Sequence, residues 1–433
     1  MKTMIRVLAL GLLTVTAASC DDDDDNNNNS NNGAGLGLTA PDASHDAKTL
    51  SQVLGWPAGA KPTAPAGFQV TELASGLDNP RWLHVLPNGD ILVAEANTLN
   101  SGAQEVNLDA DKAARRGSSA NRITLLRDAD GDGVAEVKTT FLQNLSQPLG
   151  MLALGNYFYV ANTDSLYRYS YAAGQTEIDP ATGTKILDLP KGGYNNHWTR
   201  NLLAKPDGSK IYISVGSSSN IAEHGMTEEQ RRANILEINP DGSGERIFAS
   251  GLRNPVGMDW APGTGALWTV VNERDYLGED LVPDYLSSVR ENGFYGWPYS
   301  YLGSNPDPRL AGQRPDLVAS AIVPDVLLGA HTASLGMTFY KSTAFPQKYQ
   351  NGVFVSQHGS WNRTQIAGYK VIFVPFVNGA PSGAEEDFLT GFVVNPATAE
   401  VYGRPMGVTV GPRGELFVAD DSGDKVWAVK PVP

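Results

Sequence analysis

The stretch NPRWLHVLPNGDILVAEA, residues 79–96, reads as one β-hairpin. A polar lead-in is followed by an apolar strand, a Pro-Asn-Gly turn, and a second strand of small and branched apolar residues. The pattern returns as QPLGMLALGNYFYVANT from Gln147, HWTRNLLAKPDGSKIYISVGS from His197, RNPVGMDWAPGTGALWTVVNE from Arg253, SLGMTFY from Ser334 with QNGVFVSQHGS from Gln350, and RPMGVTVGPRGELFVADD from Arg404. Its second strands begin at Ile91, Tyr157, Ile211, Leu267, Val353 and Leu416, in steps of 66, 54, 56, 86 and 63 residues. Hairpins at that period mark blades that bury their faces only against one another. The expected fold is all-β, a six-bladed β-propeller.

The repeat also places the chemistry. In a radial array the loop before each blade's first strand opens at one end of the central channel. Asn79 to Arg81, Gln147, Asn196 to Arg200, Arg253 with Asn254, Thr332 to Ser334, and Tyr402 to Arg404 hold those positions. His197 is the leading candidate for a general base, because an imidazole takes up a proton close to neutral pH. Arg200, Arg253 and Arg404, joined by Arg363 in SWNR, offer planar pairs of donors. Such a ring suits an anionic ligand with more than one carboxylate or phosphate.

Other histidines carry less. His45 falls in a polar leader, His84 inside a strand pattern, and His224, His331 and His358 in loops without metal-ligand spacing. With one cysteine and no His-Glu-x-x-His, a zinc site is not indicated. The acidic stretch VNERDYLGEDLVPDYL, with Glu273, Asp275, Glu279, Asp280 and Asp284, suits a hard cation such as Ca²⁺ through carboxylates or main-chain carbonyls. A second stretch, DADGDGVAEVKT, opens like an EF-hand loop at Asp128, Asp130, Asp132 and Gly133 but has Thr139 where that loop needs Glu. It reads as a blade hairpin, either one that holds Ca²⁺ weakly or a plain turn.

The chain of 433 residues has 46 Gly and 27 Pro, which suits strands and turns. Its formal charge of −14 and lack of a basic run speak against nucleic acid. Residues 1–20, MKTMIRVLALGLLTVTAASC, combine Lys2 and Arg6 with a short apolar run and small residues ending on Cys20. That is an export signal, and Ala17-Ala18-Ser19-Cys20 resembles a bacterial lipobox apart from its first position. The expectation is an exported periplasmic or cell-envelope protein lipidated at Cys20. Residues 21–64, beginning DDDDDNNNNSNN, read as a low-complexity polar tether, and residues 65–433 as the propeller. No Cys-x-x-Cys-His is present to attach a haem.

The set HWTRNL, SGLRNPVGM, NERDYLGEDLVPDYL, NGFYGWPY, GSWNRTQIAGYKV and GRPMGV resembles the soluble-type pyrroloquinoline quinone (PQQ) dependent sugar dehydrogenases, the aldose and glucose dehydrogenases and especially the L-sorbosone dehydrogenase-like members. The likeness covers roughly residues 65–430. It implies a six-bladed propeller with PQQ, a tricarboxylate ortho-quinone, across the channel mouth. It further implies His197 as the base for the substrate hydroxyl, Arg253 and Asn254 on the quinone oxygens, Arg404 on a carboxylate and Lys341 in FYKS as another cofactor contact. Main-chain oxygens around Glu273, Arg274 and Asp275 would hold Ca²⁺. Two positions depart from the glucose-oxidising members, which have Asp and Arg where this chain has Asn196 and Tyr402. A carboxylate contact is then either missing or moved to Arg363 or Lys370, and substrate preference does not carry over from glucose.

The function expected is PQQ- and Ca²⁺-dependent oxidation of a sugar or sugar derivative, with electrons leaving to an external acceptor. A Ca²⁺-dependent lactonase-like propeller or a non-catalytic binding propeller would share the scaffold. The lactonase would need carboxylate ligands from several blades, where this chain places His and Arg.

Overall fold

The computed structural model describes residues 37–44, 47–98 and 118–432. Cys20, the export signal and His45 lie outside them. The described residues form six four-stranded antiparallel sheets, with short two- and three-stranded additions and one helical turn and a half at Pro315–Ser320.

The first sheet is Pro80–Val85, Ile91–Glu95, Arg122–Arg127 and Val137–Leu142. The second is Met151–Leu154, Tyr157–Ala161, Ser165–Ser170 and Thr184–Asp188. The third runs Arg200–Ala204, Ile211–Val215, Asn234–Ile238 and Arg246–Ser250. The fourth is Pro255–Trp260, Leu267–Val271, Pro283–Ser288 and Val326–Ala330. The fifth is Ser334–Phe339, Val353–Gln357, Lys370–Val374 and Glu386–Leu389. The sixth takes Pro405–Val410, Leu416–Asp420 and Lys425–Pro431 from the end of the chain and Phe68–Ser75 from its beginning.

Second strands are buried along their whole length in five of the six sheets, and in the other only Tyr157 is exposed. That follows from position. A strand inside a sheet covered on both faces needs apolar residues in succession rather than in alternation, which is how ILVA and VFVS read. Each fully buried Val, Ile or Phe contributes roughly 1.5–3 kcal/mol relative to exposure.

The glycine that recurs in the first strands explains how the sheets meet. A Cβ on Gly150 would lie 2.7 Å from Leu202 N, one on Gly257 2.6 Å from Met337 N, one on Gly336 2.3 Å from Met406 O and one on Gly407 2.6 Å from Arg81 O. These glycines let the first strand of one sheet approach the backbone of the next: second to third, fourth to fifth, fifth to sixth, and sixth back to first. The chain's repeated Leu/Val/Met-Gly pair is therefore a packing requirement.

Two segments depart from the expectation. Residues 289–325, inserted between the last two strands of the fourth sheet, account for the long step of 86 residues between Leu267 and Val353. The polar leader is not tether throughout: the described residues from Gly37 pack on the fourth to sixth sheets, with Gln52–Val53 pairing in parallel with Glu400–Val401 and the Trp56 ring tilted against Tyr402, centroids 4.9 Å apart. Trp56 and Val53 give this stretch the apolar surface that the reading by composition overlooked.

Candidate active site

The loops before the first strands and after the second strands bring two polar groups to one end of the sheets. On the third and fourth sheets stand His197, Arg253, Asn254 and Asp275. On the first, fifth and sixth stand Arg81, His358, Arg404 and Asp421.

His197 is fixed through one ring nitrogen. Its Nδ1 lies 3.0 Å from Ser217 O and 2.9 Å from Ser217 Oγ, and that hydroxyl donates its proton to Ser219 O at 2.6 Å. Both Ser217 oxygens therefore accept from His197, which assigns the proton to Nδ1 and leaves the Nε2 lone pair to act as a base. Burial, and then the positive charge of Arg253, hold the imidazole well below its ordinary value, against the opposing pull of the Ser217 carbonyl and Asp275. The ring is neutral at neutral pH.

Asn254 and His197 close on Gly216, where a Cβ would lie 2.3 Å from Asn254 Oδ1 and 2.5 Å from His197 Cβ. Asn254 Oδ1 is buried and makes no hydrogen bond within the described residues. An orphaned buried acceptor costs about 1–3 kcal/mol unless something donates to it, so this oxygen is open to a donor from a water or a ligand.

Arg253 is held differently from what the resemblance implies. Its Nη2 pairs with Asp275 Oδ2 at 2.9 Å and Asn220 Oδ1 at 2.9 Å, its Nη1 donates to Glu273 O at 2.6 Å, and its Nε to Asn220 O at 3.2 Å. Its donors are spent inside the protein, so it acts on the site by charge and support. Asp275 also faces His331, Oδ1 to Nδ1 at 3.3 Å, while His331 Nε2 meets Gly278 O at 2.9 Å. Burial pulls His331 down, but Asp275 and the Gly278 carbonyl outweigh it and raise the imidazole.

In the second group Arg404 donates to two carbonyls, His358 O at 3.1 Å and Gly359 O at 3.4 Å, and stays partly exposed. A cation so held keeps its charge for a ligand carboxylate. Asp421 pairs with Arg81 at 2.6 Å and with His358 Nε2 at 2.9 Å. Arg81 in turn lies 5.1 Å from the ring of Trp198, the residue after His197.

Three expectations need correction. Lys341 stands two residues after a first strand ends, at the far end of the sheets, and pairs there with Asp259 at 2.6 Å. Arg200 is fully buried and donates to the carbonyls of His197, Thr199 and Pro190 and to Asn195 Oδ1. It props the His197 loop and reaches no ligand. The main chain around Glu273, Arg274 and Asp275 does not fit calcium as arranged: Glu273 O accepts from Arg253, while Asp275 O accepts from Asn220 at 3.1 Å and Arg309 at 2.9 Å. The side chains there are matched too, Arg274 lying between Glu273 and Asp307 with all three fully or almost fully buried. Arg363 is held by Glu279 O and Asp280 at 2.7 and 3.2 Å, and Lys370 pairs with Asp387.

Sequence reasoning missed Asn220, Ser217 and Asp421 as organisers. Their signal was position: each follows a second strand, where the chain turns back at the same end as the leading loops. The carboxylates of Asp128, Asp130, Asp132 and Glu136 do come together, in the turn between the last two strands of the first sheet. Gly131 N and Gly133 N bond to Asp128, and Lys430 lies against the loop's Gly131 and Asp132 carbonyls.

The family described as TrAA12-like matches residues 62–284 and 317–432, well over half of the chain. A PQQ-dependent sugar dehydrogenase of Hypocrea jecorina is 22% identical over 421 residues, covering 85% of this chain and 89% of the relative. A PQQ-dependent pyranose dehydrogenase of Coprinopsis cinerea is 23% identical over 428 residues, covering 84% of this chain and 54% of the relative. The holo PQQ domain of the Coprinopsis cinerea pyranose dehydrogenase superposes with a TM-score of 0.69 at 21% identity, over 88% of this chain and all of that one. A calcium structure of the Trichoderma reesei AA12 enzyme superposes at 0.70 with 20% identity, over 88% and 98%. Propeller-type enzymes thus share the arrangement of sheets, and the chain belongs to the TrAA12-like family of PQQ-dependent sugar dehydrogenases.

Proposed function

We propose that this protein oxidises a hydroxyl or hydrated aldehyde of a sugar or sugar derivative, with His197 as the general base and PQQ seated across the mouth of a closed six-bladed propeller. The observation that carries the reading is the tautomer of His197. With Nδ1–H committed to Ser217, Nε2 is left as a neutral base, and an unpaired acceptor, Asn254 Oδ1, lies across Gly216 from the His197 Cβ.

The residues fit PQQ in part. Arg404 offers a guanidinium to a carboxylate and Arg253, paired with Asp275, adds positive charge, while the unpaired Asn254 Oδ1 suits a donor such as a substrate hydroxyl. Bound PQQ supplies the two-electron acceptor for the hydride leaving the sugar carbon. The protein's share is to receive the hydroxyl proton at His197 Nε2 and to keep that nitrogen aimed by the Ser217 contacts. Asp275, through Arg253, keeps positive charge beside the ring, so the proton taken is readily released again. Calcium joins this reading only if it displaces Arg309 from the Asp275 carbonyl. Export and lipidation at Cys20 belong to the same reading, supported by the signal-like residues 1–20. Replacing Cys20 by Ala should release the protein from membranes.

Titrating purified protein with PQQ, and then with aldoses under anaerobic conditions, tests the function. Expected are a saturable change in the quinone absorption and its bleaching by sugar. A titration without saturation would remove the proposal.

A further inference from the structure

The residues leading into the sixth sheet, 38–44 and 47–56, cross three sheets at the end that carries the candidate site. Leu38 packs on the apolar cluster of the fourth sheet, and Asp42 N donates to Leu277 O at 2.9 Å. Thr49 N donates to Trp361 O at 2.8 Å and Thr49 Oγ1 to Thr364 O at 2.9 Å, on the fifth sheet's SWNR loop. Gln52 and Leu54 then bond to Ala399 and Val401, and Trp56 Nε1 donates to Asp420 Oδ2 at 2.6 Å.

Two of these contacts stop one residue short of the site. Asn362 is fully buried and uses both ends of its amide: Nδ2 donates to Ala47 O at 2.8 Å, and Oδ1 accepts from Tyr276 N at 2.8 Å. Tyr276 follows Asp275, which holds Arg253 and faces His331, and it adopts a left-handed backbone with φ of 66°. A bulky residue keeps that conformation only when its surroundings impose it. At the other side, the same Asp420 that receives Trp56 accepts Arg404 N at 2.7 Å through Oδ1.

We infer that this segment is a strap that sets both halves of the site, with Asn362 as the positioning residue that ties it to the Asp275 loop. Asn is the side chain the position requires. An Asp would keep the bond from Tyr276 N but present a second acceptor to Ala47 O, and an aliphatic residue would satisfy neither group. The strap's role rests on the proposed function where PQQ is concerned, but its effect on the Asp275 loop does not.

The test uses the full chain with two substitutions, Asn362→Asp, which keeps the bond from Tyr276 N but loses the strap arm and adds a buried carboxylate, and Thr49→Pro, which adds no charge and removes the N–H given to Trp361 from the strap side. Amide exchange over residues 273–281 is measured in cofactor-free protein, PQQ affinity by titration, and the melting temperature alongside. Both variants should raise exchange in that loop by about tenfold or more, weaken PQQ by about five- to twentyfold, and leave distant sheets such as Met151–Asp188 exchanging as before. Uniformly faster exchange, or an unchanged loop, would overturn the inference, since a strap that only adds global stability predicts that pattern. Should Asn362→Asp fail to fold, Thr49→Pro decides alone. If the loop loosens while wild-type protein takes up no PQQ, the strap stands and the cofactor reading falls.

Discussion

Asn254 Oδ1 and His197 Cβ share the space that a side chain on Gly216 would fill, at 2.3 and 2.5 Å from an ideal Cβ. No residue larger than glycine fits there without moving one of them, and His197 can move only by turning its Nδ1 away from Ser217. Misplacing a catalytic group by about 1 Å costs on the order of 10²-fold in rate. Gly216→Ala should therefore lower kcat by roughly ten- to a hundredfold and lower the melting temperature as well, since such overpacking costs about 1–3 kcal/mol. A variant with wild-type kcat would show that the contact does not position the base.

His197→Ala removes the base and leaves the Asn254, Arg253 and Arg404 surroundings in place. Loss of a general base lowers the rate by roughly 10²–10⁴-fold. The loss should appear in kcat, with PQQ affinity within a fewfold of wild type, because no step of holding the cofactor is assigned to this ring. The pH profile follows from the depressed imidazole: the neutral form is already complete well below pH 6.5, so activity should stay level through neutrality and fall only in acid. A profile that rises through pH 7 would point to another base. His331, raised by Asp275, is the group to substitute next.

The fold was legible because its unit is local. All six second strands begin at the residues the repeat indicated, Ile91, Tyr157, Ile211, Leu267, Val353 and Leu416, since a turn glycine and a buried run specify a hairpin within about twenty residues. Pairing of Phe68–Ser75 with Lys425–Pro431 was not legible, because nothing near Phe68 says that its partner lies at the other end of the chain. The site was half legible for the same reason. Position before a first strand placed His197, Asn254 and Arg404, and the same rule sends Lys341, which follows a first strand, to the opposite end. What position could not show was which guanidinium is already taken: Arg200 and Arg253 are spent on carbonyls and carboxylates that only the folded loops bring near.

Arg404 and Lys341 make a paired test of that distinction. A charge-assisted hydrogen bond to a ligand carboxylate contributes roughly 1.5–3 kcal/mol, and about 1.4 kcal/mol is a factor of ten in affinity. Arg404→Ala should weaken PQQ by about tenfold or more in a spectroscopic titration, whereas Lys341→Ala should leave it within about twofold. Equal effects from the two, or a larger one from Lys341, would mean that the cofactor sits elsewhere.

His358 predicts how the cofactor-free protein responds to acid. Burial, and then the charge of Arg404, push its imidazole down to about 4 against the attraction of Asp421, because Arg81 and Arg404 already outnumber that carboxylate. A histidine held neutral in the folded state and free to protonate when unfolded stabilises the fold above its ordinary value near 6.5. That stabilisation is lost as pH falls from about 6.5 to about 4, and a shift of this size corresponds to on the order of 3 kcal/mol. Urea unfolding between pH 7 and pH 4 should show the decline. His358→Gln keeps a donor toward Asp421 but does not titrate, so it should make the slope shallower by this group's share, while His84 and His197, depressed as well, keep theirs. PQQ should flatten it as well, since added carboxylates at the mouth favour the charged ring. If His358→Gln loses stability over this interval as steeply as wild type, His358 is not the group whose protonation opens the structure, and His84, also held at about 4 by burial, becomes the one to replace.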